Sequence, residues 1–375
     1  MIFSRKLSFL GFLLLCVLAL FPGCKPDEGN PAPEFDREAL LTRTADEIII
    51  PRYEAYKSSI ESLQAAATAF TTAPDYQGLV ALKEQWREAL LSWQRVAMFE
   101  FGPAADVAMQ SSTNIYPTDP DQIESNIASN DYVLQAAANV DARGLPAIDY
   151  LIHGQSAEGL SALEAFTSGT NSSNRIAYLE ALVDDLVANA EYIVSGWNGG
   201  YRDDFVNNTG TDVGSSLGLW LNAMNQSYEQ VTRTQKLGLP TGALTFSQTP
   251  LPDHVEAYYE YTNSVAYLQS SIQAIQELYE GTGEDGSTGP GLDDYLVFLD
   301  AQYNGADLNQ TILEQIDATQ QAVNTLQNPL AEYVVSNQDD VLEVYTELQE
   351  LVILWKVDMM STLGVLITYQ DNDGD

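Results

Sequence analysis

The chain contains two histidines, and each has carboxylates within a few residues. Asp149 and His153 are four residues apart, so on a helix they would share one face and could bind a cation together. The same spacing fits a structural pair, because aspartate is favoured near the N-terminus of a helix and histidine near its C-terminus. Pro146 suits the first helical position and Gly154 the C-terminal end. A ligand role and a structural role for the pair both remain open.

The second histidine, His254, follows Asp253 and precedes Glu256 by two residues. Asp253 with Glu256 three residues later fits a capping box, which predicts a helix that carries Tyr258. The alternative is metal ligation by His254 and Glu256. The phenol of Tyr258 could then serve as a ligand or stack on a planar ligand, although packing is the commoner use of tyrosine.

Two further candidates lie in connecting segments. Glu100 precedes Gly102–Pro103, where a long helix must end, and a carboxylate at a helix C-terminus needs a compensating partner. That partner is either a ligand site or a base such as Arg95. The loop that follows carries Tyr116 and Asp119 and is long for a connection between helices, which is typical of a pocket wall.

These candidates occupy helix ends and loops, where side chains from distant segments can meet. We expect one shared cleft, with Tyr258 approaching from the second half of the chain and the others from the first: Glu100, Tyr116, Asp149 and His153. Two carboxylates side by side would be electrostatically unfavourable unless a cation or a base lay between them. A divalent or ferric ion is the candidate cofactor, and its identity stays open.

The sequence argues against the common hydrolase sites. A zinc hydrolase needs about three protein ligands, commonly histidines, plus an activating base, and no His-Glu-x-x-His segment is present. We therefore assign no catalytic residue and expect a protein that is not an enzyme.

The N-terminus has the features of an exported lipoprotein. Arg5–Lys6 precede an apolar segment of residues 7–20, which is short for a membrane span. Cys24 follows Gly23 and is the expected lipidation site, so residues 1–23 are the predicted signal peptide. Residues 24–35 are rich in proline and polar groups and form the predicted tether. A lipid anchor in the membrane of a bacterial envelope is the first expected partner.

Charge limits the other partners. With 16 basic and 53 acidic residues, the formal net charge is −37. Such a surface repels phosphate backbones, so nucleic acid is excluded as a partner. It attracts cations, including metals.

The elements that position these residues are predicted to be helices. Apolar residues recur with helical spacing around Leu82–Ala97 and Val341–Leu363, and no stretch shows sustained alternation. We expect an all-α fold of two helical bundles with a cleft between them, comprising residues 36–200 and 201–375. The glycine-rich segment Gly281–Gly291 is expected to be a flexible connection. The terminal Asp371–Asp375 resembles the start of a calcium loop but ends too early for one.

Several segments, in a characteristic order and spacing, resemble the imelysin-like family over residues 36–375. They are Trp93–Pro103, Gly144–Gly154, Lys236–Gly242, Val255–Tyr259 and Leu363–Asp375. The family signature, Gly-x-His-x-x-Glu, aligns with Gly144, Pro146 and Asp149, so the histidine is replaced by proline and the glutamate by aspartate.

The resemblance implies two helical halves with a pocket between them, in an envelope protein associated with iron or haem uptake. We expect a non-catalytic outer-membrane lipoprotein of a Gram-negative bacterium, facing the periplasm or the cell surface. Its partners would be a metal or metal-bearing ligand and other uptake components. The alternatives are a divergent metallopeptidase and a surface lipoprotein that binds glycans or proteins.

Overall fold

A computed structural model describes residues 34–370. The predicted signal peptide, Cys24, most of the tether and Asp371–Asp375 lie outside the described residues. The helices of the first half, in chain order, are α1 (Arg37–Arg43), α2 (Ile50–Thr72), α3 (Tyr76–Gln94), α4 (Pro103–Asp106), α5 (Met109–Thr113), α6 (Pro120–Ser129), α7 (Gly144–His153), α8 (Ala162–Thr167) and α9 (Ser172–Gly196).

The remaining α-helices are α10 (Arg202–Asn207), α11 (Ser216–Gln226), α12 (Ser264–Tyr279), α13 (Leu292–Phe298), α14 (Leu308–Val323), α15 (Leu330–Ser336), α16 (Gln338–Val352) and α17 (Met360–Thr362). Four π-helical segments continue or join these helices: Thr44–Ile49, Trp197–Tyr201, Ser227–Gly238 and Ile353–Met359. Two 3₁₀ turns, Ala137–Asn139 and Pro252–His254, lie in the longer connections. The expected all-α fold is confirmed.

The described residues contain one small β-hairpin. Strand β1 (Gln302–Tyr303) pairs antiparallel with β2 (Ala306–Asp307), with Gln302 opposite Asp307. Asn304 and Gly305 form the turn, both with positive φ, as expected of an Asn-Gly hairpin turn. Two residues per strand are too few to form a layer, so the helices make the core.

Local sequence explains where the long first-half helices begin. The Asp36 carboxylate accepts a hydrogen bond from Ala39 N at 3.0 Å and caps α1. Asp75 accepts from Gly78 N at 2.7 Å and caps α3, directly after the short link from α2. Helices α3 and α9 pack against α2, and the apolar stripes of these helices bury Trp86 and Trp93.

The second half is built around α12, α14 and α16. Helix α16 packs against α14 and against the π-helical segment Ser227–Gly238, with Trp355 buried nearby. The described residues from Asp36 to Gln370 group into one compact unit, and α3 of the first half packs on α12 of the second. The boundary near residue 200 remains a prediction. It falls at a π-helical segment in which Gly200 departs from helical geometry, with φ +132°.

The glycine-rich segment Gly281–Gly291 is tied to the first-half helices and is more than a flexible connection. Arg43 donates to Gly281 O at 3.2 Å and to Ser287 Oγ at 2.8 Å. Glu284 N donates to Glu47 O at 2.8 Å. Because these partners are far away in the chain, composition alone could not show the attachment.

Candidate functional site

Helix α7 begins in a turn that requires glycine. Gly144 has φ +74°, and a Cβ atom there would lie 2.3 Å from Thr113 O. The next residue is also fixed, since Trp86 Nε1 donates to Leu145 O at 2.9 Å. The predicted helix over this segment is confirmed, but it begins at Gly144, so Pro146 is its third residue and not its first. The start of α7 is thus held close to α3 and α5.

Gly154 directly follows the last residue of α7, and its role differs from the expected one. Its φ of −75° does not require glycine. A Cβ there would instead approach Tyr150 O to 2.7 Å and the Tyr259 ring to 3.2 Å. The residue therefore permits close contact between α7 and the segment that precedes α12.

Asp149 and His153 form the pair that their spacing predicts. His153 Nδ1 lies 2.8 Å from Asp149 Oδ1, and the His153 ring packs edge-to-face on Trp86 at 5.4 Å. The second carboxylate oxygen, Oδ2, accepts a hydrogen bond from Tyr259 N at 3.1 Å. Asp149 therefore joins α7 to a segment of the second half, a contact that helical spacing could not predict.

The electrostatics of this carboxyl reflect its burial. Asp149 is 2% exposed, and burial raises its pKa above the usual 3.8, although the hydrogen bonds from His153 and Tyr259 oppose the rise. Burial also raises the pKa of Tyr259 to about 12, helped by the negative charges of Asp149 and Asp253. Both acids are thus near the Tyr259 phenol.

A cavity of about 200 Å³ opens beside Asp149. Its wall combines the first-half loop, the start of α7 and the segment before α12. The lining residues are Tyr116, Pro117, Thr118, Pro120, Pro146, Asp149, Asp253, Val255, Ala257, Tyr258 and Tyr259. We call this cavity the signature pocket. Of the five residues expected to share one cleft, it brings together three, Tyr116, Asp149 and Tyr258, and it also includes Pro146 of the signature.

The segment that forms the second-half wall is not the predicted helix. Residues Pro252–His254 make a 3₁₀ turn, and α12 begins only at Ser264. Ala257 and Tyr261 have φ values of +59° and +77°, which non-glycine residues rarely adopt. The capping-box prediction for Asp253 and Glu256 is therefore wrong.

Glu256 instead belongs to a buried polar network behind the pocket. Its carboxylate pairs with the Lys236 ammonium and accepts hydrogen bonds from Asn114 Nδ2 at 2.7 Å and Gln94 Nε2 at 3.0 Å. Gln94 Oε1 in turn accepts from Lys236 Nζ at 2.9 Å and from Ser271 Oγ at 2.8 Å. The network contains residues of both halves. Glu256 forms these long-range contacts and does not cap a local helix.

Comparison with known proteins identifies the family. The sequence profile described as imelysin matches residues 49–353, most of the chain. The chain belongs to the imelysin family. A curated relative, iron-regulated protein A of Synechococcus elongatus, is 22% identical over 323 residues, which cover 81% of each chain.

Two solved structures share the imelysin fold of this chain. One is an iron-regulated protein A precursor from Parabacteroides distasonis, with a TM-score of 0.72 and 18% identity, covering 89% of this chain and 97% of that one. The other is an imelysin-like protein from Psychrobacter arcticum, with a TM-score of 0.67 and 19% identity, covering 90% and 99%. At these identities the likeness shows the fold alone.

Within this imelysin fold, other predicted site residues lie away from the signature pocket. Glu100 does not line it, although burial does raise its pKa. We expected Glu100 at the C-terminus of a long helix. That prediction is wrong, because α3 already ends at Gln94. The suggested partner Arg95 pairs instead with Glu284 at 2.6 Å and with Glu277 at 2.8 Å.

Asp119, His153 and His254 are also outside the pocket lining. Asp119 caps α6 by accepting from Gln122 N at 3.0 Å. His254 is in the 3₁₀ turn, with Nδ1 buried and without a hydrogen-bond partner among the described residues. The Nε2 atom of His153 is also buried, and it too has no hydrogen-bond partner among the described residues.

Lys236 and Gln94 are residues whose importance the sequence reasoning missed. Lys236 offered one signal, since it is a lysine beside apolar Leu237 and Leu239 in a chain with few basic residues.

Within residues 34–370, no group of three or more His, Cys, Asp or Glu side chains is arranged to hold a metal ion. Over the same range, no helix has the length and apolarity of a membrane span.

Proposed function

We propose that this protein is a non-catalytic binding component of the bacterial envelope that serves iron acquisition, and that the signature pocket is its ligand site. The pocket supports this proposal because it is the cavity where the family signature of the first half meets the second half. A metal ion or a metal-bearing ligand is the proposed cargo, and other uptake components are its proposed partners.

The contents of the pocket favour binding over hydrolysis. Where the resemblance places a histidine, Pro146 offers no side-chain donor or ligand. Asp149 already accepts hydrogen bonds at both of its oxygens, from His153 and from Tyr259 N. A metallopeptidase needs a metal held by about three ligands and a water-activating base, and this wall supplies neither as a set.

The link to iron and the cellular location rest on the relatives and the N-terminus. Two relatives are named iron-regulated protein A, and one of these is described as a precursor, which is consistent with export. The predicted signal peptide and Cys24 support a lipid anchor, which we propose lies in the outer membrane. Two or more acyl chains make such anchoring stable.

Ligand-induced stabilisation tests the binding function. The domain from Lys25 onward is heated with ferrous ion, ferric ion or haem, and its melting temperature is followed with concentration. A specific ligand stabilises by about 2.7 kcal/mol at a hundredfold excess over Kd. We expect Tyr258→Ala to reduce the shift and the matched variant Tyr76→Ala, at an exposed tyrosine outside the pocket, to retain it in full. No shift with any iron-bearing ligand would contradict the proposed function.

A hydrolysis assay distinguishes the alternative enzyme. The purified domain is incubated with zinc, cobalt or iron and an unfolded protein chain. We expect no cleavage. Chelator-sensitive cleavage that disappears in Asp149→Ala would establish a metallopeptidase instead.

Labelling with palmitate tests the proposed anchor. We expect incorporation into the wild-type chain and none into Cys24→Ser, because that thiol is the sole cysteine after residue 23. Equal labelling of both proteins would refute lipidation at this position.

A further inference from the structure

The wall of the signature pocket carries negative charge without a basic side chain among its lining residues. Asp149 and Asp253 supply two carboxyl groups, and Tyr116, Tyr258 and Tyr259 supply aromatic surface. Asp253 is exposed and makes no hydrogen bond or ion pair with its side chain within the described residues. An anion placed here would meet carboxylates and no fixed positive partner.

The nearby basic groups are already engaged behind the wall. Arg87 Nε pairs with Glu260 Oε1 at 2.9 Å, and Lys236 pairs with Glu256. His153 contacts Asp149 from α7 itself. Burial and the positive charge of Arg87 lower the pKa of Lys83, and the negative charges of Asp149 and Glu260 partly oppose this shift. These groups offset Glu260, Glu256 and part of the charge on Asp149, whereas the charge on Asp253 is left for the pocket.

The aromatic part of the wall also suits positive charge. The rings of Tyr258 and Tyr259 meet edge-to-face with centroids 5.2 Å apart, and Tyr259 meets Tyr150 in the same manner at 5.2 Å. The faces of such rings attract cations, most strongly where water is partly excluded. A volume of about 200 Å³ accommodates a small ligand and is smaller than the usual sites for drug-sized molecules.

We propose that the signature pocket selects a small cation and excludes anionic ligands. This inference rests on the proposed function, because it assumes that the pocket is the ligand site, and it narrows that function by excluding anionic iron carriers such as haem with its propionates. The shared chemistry is positive charge facing Asp253, Asp149 and the tyrosine rings. It can come from an organic ammonium ion or from a metal ion.

Matched probes separate charge from shape. Choline and 3,3-dimethyl-1-butanol have nearly the same size, but only choline is charged, and 3,3-dimethylbutyrate supplies the corresponding anion. Manganese and ferrous ions form the metal arm. Binding is measured by titration calorimetry on the domain from Lys25 onward. We expect at least one cation to bind, and we expect the neutral and anionic probes to bind at least tenfold more weakly.

Variants locate the binding. Asp253→Asn removes the uncompensated charge at an exposed position and should weaken cation binding by about tenfold. Tyr258→Ala should weaken it to a similar degree. The control Asp131→Asn changes an exposed carboxylate outside the pocket and should bind as the wild type does. Circular dichroism of each variant checks that the fold is retained.

Three outcomes of the probe and variant titrations would overturn the inference. They are binding of 3,3-dimethyl-1-butanol as tight as that of choline, cation binding unchanged in both Asp253→Asn and Tyr258→Ala, and no binding of any cation at millimolar concentration. Haem binding that is lost in Tyr258→Ala would also overturn it while supporting the proposed function. Binding of a cation such as choline, without binding of any iron-bearing ligand, would support the cation selectivity and contradict the proposed function in iron acquisition. The failures of the two proposals can therefore be distinguished.

Discussion

The signature pocket and the loop Gly281–Gly291 look alike in sequence, since each combines glycine or proline with acidic residues. Their surroundings differ. Glu284 of the loop lies 2.6 Å from Arg95 and 3.3 Å from Arg52, so its charge is compensated by two guanidinium groups. Asp253 at the pocket has no such partner among the described residues. Acidic loops therefore become candidate sites only where the fold leaves their charge unmatched.

The two regions also differ in how they are supported. The loop is held by ion pairs whose acidic partners keep partial access to water, because the side chains of Glu277 and Glu284 are 20% and 28% exposed, although that of Arg52 is fully buried. Behind the pocket, the side chains of Lys236 and Glu256 are each only 3% exposed. A buried pair is costly to break, since the remaining charge has neither a partner nor water.

The largest expected effect is at the support of the pocket. Lys236→Met leaves Glu256 buried without its counter-ion and should lower the free energy of unfolding by about 3–5 kcal/mol. Urea denaturation measures the loss. The double variant Lys236→Met with Glu256→Gln should recover a large part of it, because the amide keeps partners in Gln94 and Asn114 without a charge. A loss below about 1 kcal/mol in the single variant would show that the pair contributes no more than a surface pair does.

Next in size is the turn that opens the pocket's signature helix. Gly144 and Gly159 share a φ of +74°, but a Cβ at Gly144 meets Thr113 O at 2.3 Å whereas nothing lies within 4 Å at Gly159. Gly159→Ala should cost about 1–2 kcal/mol for the backbone conformation alone. Gly144→Ala should cost about 2 kcal/mol more, because the crowding adds to it. Equal losses in thermal or urea unfolding would mean that the backbone at Thr113 yields easily.

The support of the loop should be weaker. Arg52 donates to Ala274 O at 2.9 Å and pairs with Glu277 and Glu284, so Arg52→Met removes these contacts. We expect a loss of about 2 kcal/mol in urea denaturation, since one backbone acceptor loses its charged donor and both acids keep Arg95 and some water. A loss that equals or exceeds that of Lys236→Met would reverse the proposed contrast between the two regions.

The smallest expected effect depends on pH. Burial raises the pKa of Asp293, in the first turn of α13 just after the loop, from 3.8 to about 6, with help from the negative charges of Asp294 and Glu280. The folded state thus binds this proton more tightly than the unfolded state does. The stabilisation of the folded state by the protonated Asp293 is present below about pH 4 and is lost as the pH rises through about 6.

Asp293→Asn should remove that loss. Because the group is partly exposed, we expect the variant to gain only about 1 kcal/mol relative to wild type between pH 4 and pH 7. Urea denaturation at both pH values gives the difference, and Asp131→Asn serves as an exposed control. If the difference in unfolding free energy between wild type and Asp293→Asn were the same at pH 4 and at pH 7, the raised pKa assigned to Asp293 would be contradicted.

Much of this fold follows from local sequence. Helical spacing of apolar residues predicts α3 and α16, and the i, i+4 spacing predicts the contact between Asp149 and His153. These features depend on neighbours along one helix, and the helical repeat itself brings such neighbours together. The family resemblance added the order of the segments and the place of the signature turn.

Only the tertiary structure decided which acids are neutralised. Glu256 fits a helix cap by local rules, yet it pairs with Lys236 and Asn114, which are 20 and 142 residues away in sequence. Glu284 has the composition of a flexible loop, yet it pairs with Arg52, which is 232 residues away. Since a buried charge must find a partner wherever the fold supplies one, long-range packing decides which carboxylates stabilise the core and which, like Asp253, remain available to a ligand.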